Sequence, residues 1–183
     1  TNGKKNRKKP KPSSRTSHQK PTTDSTPKHK DPPVEYRLAV SFEQQLSGTL
    51  KKMRITRKVF NPLTNSEKSE VKVLHVKIEP GSKPGTRIVF REEGDRGKPN
   101  TIRAELVFII EDIVHRCFNR LNRDGADLLY EPIYQNYNSV ININIPTLEG
   151  KSYYLSFCGQ RLEYRLYGRG LPLQPNSPLR GDI

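Results

Sequence analysis

Alternation of apolar and polar residues in short runs most constrains the fold of this chain. Val34, Tyr36, Leu38, Val40 and Phe42 alternate with Glu35, Arg37, Ala39 and Ser41, the period of a strand with one buried face. Thr49–Val59 repeats the pattern: Lys51, Met53, Ile55 and Val59 on one side, Lys52, Arg54, Thr56 and Lys58 on the other. Val71–Ile78 is a third strand, with Val71 and Val73 followed by Val76 and Ile78; the change of phase at Leu74-His75 reads as a bulge. Thr86–Phe90 is a short strand. Arg103–Glu111 is almost continuously apolar, which predicts a central strand covered on both faces. Ala126–Ile133, Val140–Ile145 and Ser152–Phe157 form a second series beyond a break near Asp112–Arg123. Glu43–Gly48 is a turn or a single helical turn ended by glycine. No stretch sustains the helical period. The fold class is therefore all-β, with strands and turn signals at the spacing of sandwiches or barrels.

Charge is distributed unevenly. Residues 1–33 carry ten basic and two acidic residues, a net +8 of the chain's +14, with six of its 15 prolines. They contain no Val, Ile, Leu, Met or aromatic residue. Such a segment has nothing to bury and is expected to be a disordered basic linker. It could bind phosphates by counterion release or act as an import signal, but it lacks the interleaved aromatics that stack on bases. Nucleic-acid binding is therefore the weaker alternative. No apolar run reaches membrane-spanning length. Two cysteines, Cys117 and Cys158, exclude a disulfide scaffold and a four-cysteine zinc site. A cytosolic location follows, with the nucleus as its alternative. The chain starts at Thr1 without an initiator Met and reads as a piece of a longer protein.

Few residues suggest reaction chemistry. Cys117 lies two residues after His115 and could pair with it as nucleophile and base, yet no orienting carboxylate or amide is evident. The structural reading of that pair is favoured, so no catalytic residue is assigned. The four histidines lack ligand spacing, so no metal or cofactor is expected. Arg180-Gly181-Asp182 reads as a turn. Lys51, Met53 and Ile55 share a strand face, as do Tyr36 and Leu38. Were the two strands neighbours, they would frame an apolar groove edged by ammonium groups, suited to an extended peptide. On alternation alone these side chains read as ordinary core.

Six collinear motifs change that balance. They are Ser47-Gly48-Thr49-Leu50-Lys51-Lys52-Met53-Arg54-Ile55, Pro80-Gly81 to Gly85-Thr86-Arg87-Ile88 with Phe90 and Glu93-Gly94-Asp95, and His115-Arg116-Cys117-Phe118. Arg123-Asp124-Gly125-Ala126-Asp127-Leu128, Ile145-Pro146-Thr147-Leu148-Glu149-Gly150, and Gly168-Arg169-Gly170-Leu171-Pro172 with Arg180-Gly181-Asp182 complete the series. In this order they resemble the C-terminal substrate-binding region of DnaJ-type (J-domain) co-chaperones. The resemblance implies two tandem β-sandwich-like domains, 34–112 and 113–183, the second truncated. Lacking the cysteine-rich zinc insertion, the chain resembles class B. The resemblance implies binding of unfolded client polypeptides and of the acidic tail of the 70-kDa heat-shock chaperone. It assigns Tyr36, Leu38, Lys51, Met53, Ile55 and Phe108 to the peptide groove, and Lys51, Lys52 and Lys72 to the acidic tail. No His-Pro-Asp segment occurs, so no J domain is expected within the chain. Arg116 replaces the family's proline, and Tyr134–Ser139 lacks the glycine of the family's turn there. Homodimerisation is expected only where a C-terminal helix follows residue 183.

Overall fold

The computed structural model describes Thr1 and residues 30–98, 101–133, 140–158 and 163–183. Most of the basic linker and the Tyr134–Ser139 turn lie outside the described residues. The elements are β1 (Val34–Val40), α1 (Phe42–Ser47), β2 (Thr49–Asn61), β3 (Ser66–Ile78), β4 (Arg87–Phe90) and β5 (Leu106–Asp112). β6 (Phe118–Arg120), β7 (Leu128–Tyr130), β8 (Ile141–Pro146) and β9 (Ser152–Phe157) follow. The described chain is thus all-β apart from one short helix.

β5 is central, as its apolar run predicts: it pairs in parallel with β1 and antiparallel with β4. β2 and β3 form a separate antiparallel ribbon. The inner faces of sheet and ribbon meet in one core, where Leu38, Ile55, Leu74, Val76, Phe108 and Ile110 are all buried. A second core joins Phe118, Ala126, Leu128, Leu148 and Leu171, and Phe42 of α1 belongs to it. α1 therefore connects the two cores. It is a genuine helical turn because Ser41 and Gln44 form a reciprocal capping box, and Gly48 ends it at φ 73°.

The ribbon corrects two expectations. Pairing runs without interruption from Thr49↔Ile78 to Asn61↔Ser66, so β3 contains no bulge. Instead Lys72, Leu74, Val76 and Ile78 face inward, while Val71 and Val73 face solvent. Lys72 tolerates the inward position because Glu93 neutralises it. The expected break at 112–123 also contains a strand, β6, too short to show a period.

The two halves are closed by matching hydrogen bonds. Val34 N–H donates to Glu105 O at 2.8 Å, and Leu128 N–H donates to Asp182 O at 2.9 Å. Gly94 N–H donates to Ala104 O at 3.0 Å, and Gly170 N–H to Gly181 O at 2.7 Å. A Cβ on Gly170 would lie 2.5 Å from Ala126 O, so only glycine fits that crossing. Arg180 and Asp182 are tied into this closure through Gly170 O and Gly168 N–H, which gives the Arg180-Gly181-Asp182 tripeptide a structural role.

A candidate peptide-binding edge

The backbone supplies an open strand edge between β1 and β2. In β1, Val34 N–H and Val40 O bond toward β5. Strand alternation therefore turns the polar groups of Glu35, Arg37 and Ala39 the other way. In β2, Lys58 N–H donates to Asp95 Oδ1 at 2.7 Å and Phe60 N–H to Arg96 O at 3.0 Å, both away from β3. The uninterrupted register places Leu50, Lys52, Arg54 and Thr56 in the same orientation. Among the described residues no strand pairs with this stretch of β2.

The structure separates the predicted groove residues by depth. Leu38 and Ile55 are each 2% exposed and Phe108 is 0% exposed, so they form the floor. Tyr36 and Met53 are half-buried against the same core and form the accessible lip. The Tyr36 ring lies 5.9 Å from that of Phe108, tilted by 35°. Lys51 crosses the gap, and its Nζ donates to Ala39 O on the outer edge of β1. Desolvation lowers the Lys51 ammonium from its ordinary lysine value.

The three predicted carboxylate-binding lysines do not converge. Lys51 lies at the gap, whereas Lys52 points to the opposite, solvent face of the ribbon. Lys72 faces inward and donates to both Glu93 oxygens, at 2.7 and 2.6 Å. Arg57 also bonds Glu93, at 2.6 Å, and reaches Glu70 at 3.1 Å. Hydrogen bonding from Lys72 leads the causes that hold the Glu93 carboxyl below the usual carboxylate range. The sequence signals this network only through basic residues at inward strand positions, Arg57 on β2 and Lys72 on β3.

The depressed Glu93 value has a defined pH consequence. Its ion pairs stabilise the fold above the unfolded carboxylate pKa and lose effect as pH falls through the folded value. Glu93→Gln is therefore expected to cost about 1–3 kcal/mol near neutral pH, because Lys72 and Arg57 lose their shared partner. The difference from the parent chain should shrink as pH falls below the ordinary carboxylate range. Urea denaturation at several pH values measures it, and a pH-independent difference would contradict the assignment.

His115 has no free ring nitrogen for base chemistry. Its Nδ1 accepts from Cys117 N–H and Phe118 N–H, each at 3.1 Å, and its Nε2 lies 2.9 Å from Glu43 Oε1. The ring stacks against Phe42 and Phe118, at 5.7 and 5.2 Å between centroids. It thus organises the joint beside α1, and its contact with Cys117 is through that residue's backbone. Among the described residues no cluster of side chains could hold a metal ion. A cavity of about 650 Å³ lies beneath β7–β9, but Asp127, Glu131, Glu163 and Asp182 line it against Arg165. That charge balance opposes a carboxylate ligand.

Residues 34–183 match the DnaJ C terminal domain. The chain belongs to the DnaJ C-terminal domain family. It is 37% identical over 162 residues to human DnaJ homolog subfamily B member 5, covering 85% of this chain and 45% of that protein. Identity to human DnaJ homolog subfamily B member 13 is 41% over 159 residues, covering 85% and 50% of the two. Drosophila melanogaster DnaJ protein homolog 1 is 34% identical over 165 residues, covering 87% and 48%. These relatives place the chain's C-terminal-domain region on the class B branch, and the all-β architecture agrees with it. The chain spans about half the length of the relatives it matches.

Proposed function

We propose that this chain is the substrate-binding part of a co-chaperone in protein folding, without enzymatic activity of its own. The carrying observation is the edge of β2 from Leu50 to Thr56, unpaired among the described residues, with Tyr36 and Met53 at its lip and the Lys51 ammonium beside it. An extended segment of an unfolded client would add to that edge through backbone hydrogen bonds, with its apolar side chains on Tyr36 and Met53. The acidic tail of the 70-kDa heat-shock chaperone would use the same edge, with Lys51 replacing Ala39 O by a carboxylate, while Lys52 stays on the ribbon's other face. Lys72 would contribute only by exchanging Glu93 for the ligand. Leu38, Ile55 and Phe108 hold the floor in place. We assign residues 34–112 and 113–183 to two domains that share α1. The absence among the described residues of a helix long and apolar enough to cross a membrane is compatible with action in the cytosol or nucleus.

Two substitutions test the edge. Lys51→Glu is expected to weaken binding of an acidic C-terminal tail peptide about tenfold, since it removes an attraction and adds a repulsion. Thr56→Pro removes an outward N–H without touching the ladder to β3, so it should weaken acidic and apolar peptides alike. Calorimetric titration measures both. Unchanged affinity in both variants would remove the edge as the binding site.

A further inference from the structure

The loop 173–179 belongs to the second half of the chain and rests on the first. Asn176 N–H donates to Pro80 O at 2.9 Å, and its Nδ2 donates to Glu79 Oε2 at 3.2 Å. Gln174 O packs so closely on the same turn that a Cβ on Gly81 would lie 2.4 Å from it. Gly81 N–H in turn donates to Gln45 O of α1 at 2.7 Å. The loop is thus a strap across the joint. Its apex is accessible: Gln174, Pro175, Asn176 and Pro178 are exposed, Ser177 is half-buried, and Leu179 is 66% exposed. Leu173 N–H closes the base by donating to Leu179 O at 2.9 Å, and Leu179 N–H donates to the Ser177 hydroxyl at 3.1 Å. A solvent-exposed loop held by few bonds opens locally at small cost. The sequence across the apex is Pro175-Asn176-Ser177-Pro178. The first proline favours an extended approach to the serine, and the second has no amide N–H to leave unpaired in an apolar pocket.

We propose that Ser177 is a phosphorylation site for a proline-directed protein kinase, of the class that reads proline both before and after the serine, and that its modification releases the strap. Ser177 Oγ attacks the γ-phosphorus of Mg–ATP. The new O–P bond forms as the bond to the bridging oxygen breaks, ADP leaves, and the hydroxyl proton passes to the kinase's carboxylate base. The product carries a charge of about −1.5 to −2 at neutral pH. It stands one residue from Asn176, whose side chain is bonded to Glu79. Like charges then repel across the contact that holds the strap down. The neighbouring cations are already engaged: Arg180 is bonded to Glu149, Gly170 O and Arg169 O, and Lys77 lies 3.6 Å from Glu79. Thr26 also precedes a proline, but Asp24 stands where Ser177 has Pro175. The chain therefore carries its own comparison site.

Incubating the full chain with a mitogen-activated protein kinase and Mg–ATP, then mapping the product by peptide mass spectrometry, tests the site. Ser177 should be the main residue modified, ahead of Thr26. Ser177→Ala should remove that product, and Pro178→Ala should slow its formation by about tenfold or more. Both variants lie in the exposed loop, and unchanged thermal unfolding confirms that they fold. Hydrogen exchange tests the release. In the phosphorylated chain the Asn176 amide, bonded to Pro80 O, should exchange about tenfold faster. The Ile110 amide, bonded to Thr86 O in the first core, should keep its rate. Modification of Thr26 alone would overturn the site, as would modification of Ser177 in a free 171–183 peptide but not in the folded chain. An unchanged rate in Pro178→Ala would overturn the kinase class, and unchanged exchange at Asn176 would overturn the release.

Discussion

Phe108→Ala is expected to destabilise the chain by about 3–5 kcal/mol, the cost of deleting a large buried aromatic and leaving a cavity. Phe108 sits on β5 between its two partner strands, opposite Tyr36 on β1 and Ile88 on β4. It is 0% exposed. Its ring meets Tyr36 on one side and the edge of Phe90 on the other, at 5.7 Å and 89°. Denaturant unfolding monitored by circular dichroism measures the loss, and a change below about 1 kcal/mol would show that the core repacks. The partner variant Tyr36→Ala separates the two roles that the resemblance merged. Tyr36 is half-buried at the lip, so its truncation should cost less stability and more peptide affinity per folded molecule. Phe108→Leu should spare both.

The contrast between those positions shows what the residue pattern could and could not convey. Alternation in Val34–Phe42 and Thr49–Val59 identifies the inward faces of β1 and β2, because each strand has one buried side. It cannot say how deep a side chain sits along that face, so Tyr36 and Phe108 look equivalent until the crossing of sheet and ribbon is known. The unbroken apolar run at Leu106–Ile110 announces a central strand, but which strands flank it depends on contacts distant in sequence. Val71 and Val73 misled for a specific reason. Valine favours a pleated backbone whether or not its side chain is buried, and here the inward site between them belongs to Lys72 with its Glu93 partner. The motifs supplied the residue identities of the candidate site. The open backbone edge is a property of pairing, which no single residue encodes. The same holds for α1: Ser41 and Gln44 announce its start, while the burial of Phe42 in the second core depends on tertiary packing.

Arg120→Met is expected to cost about 3–5 kcal/mol, because it strands a carboxylate in a partly buried site. Arg120 is placed by β6. Its Nε donates to Asp112 Oδ2 at 2.8 Å, and its Nη2 reaches Gln45 Oε1 at 2.6 Å and Asp112 Oδ1 at 3.1 Å. Its Nη1 donates to Gly125 O, and its guanidinium lies 5.3 Å from the centre of the Phe42 ring. Gln45, itself 1% exposed, closes the triangle by donating to Asp112 Oδ1 at 2.6 Å. One side chain therefore ties the end of β5, helix α1 and the 120–125 turn together. Methionine preserves much of the apolar contact with Phe42 and supplies none of the donors. Lysine would keep the charge but could not span Asp112, Gln45 and Gly125 at once, so Arg120→Lys should recover only part of the loss. Because the network lies at the joint between the two cores, its loss should be local before it is global. Hydrogen exchange should show weaker protection of the Leu128 and Leu171 amides, whose acceptors are Asp182 O and Ala126 O. The Ile110 amide, bonded to Thr86 O in the first core, should retain its protection at low denaturant. Equal loss at all three amides would mean that the cores unfold as one unit. Adding Asp112→Asn to Arg120→Met should restore stability, since the unpaired charge is then gone; failure to do so would assign the node's contribution to Phe42 packing instead.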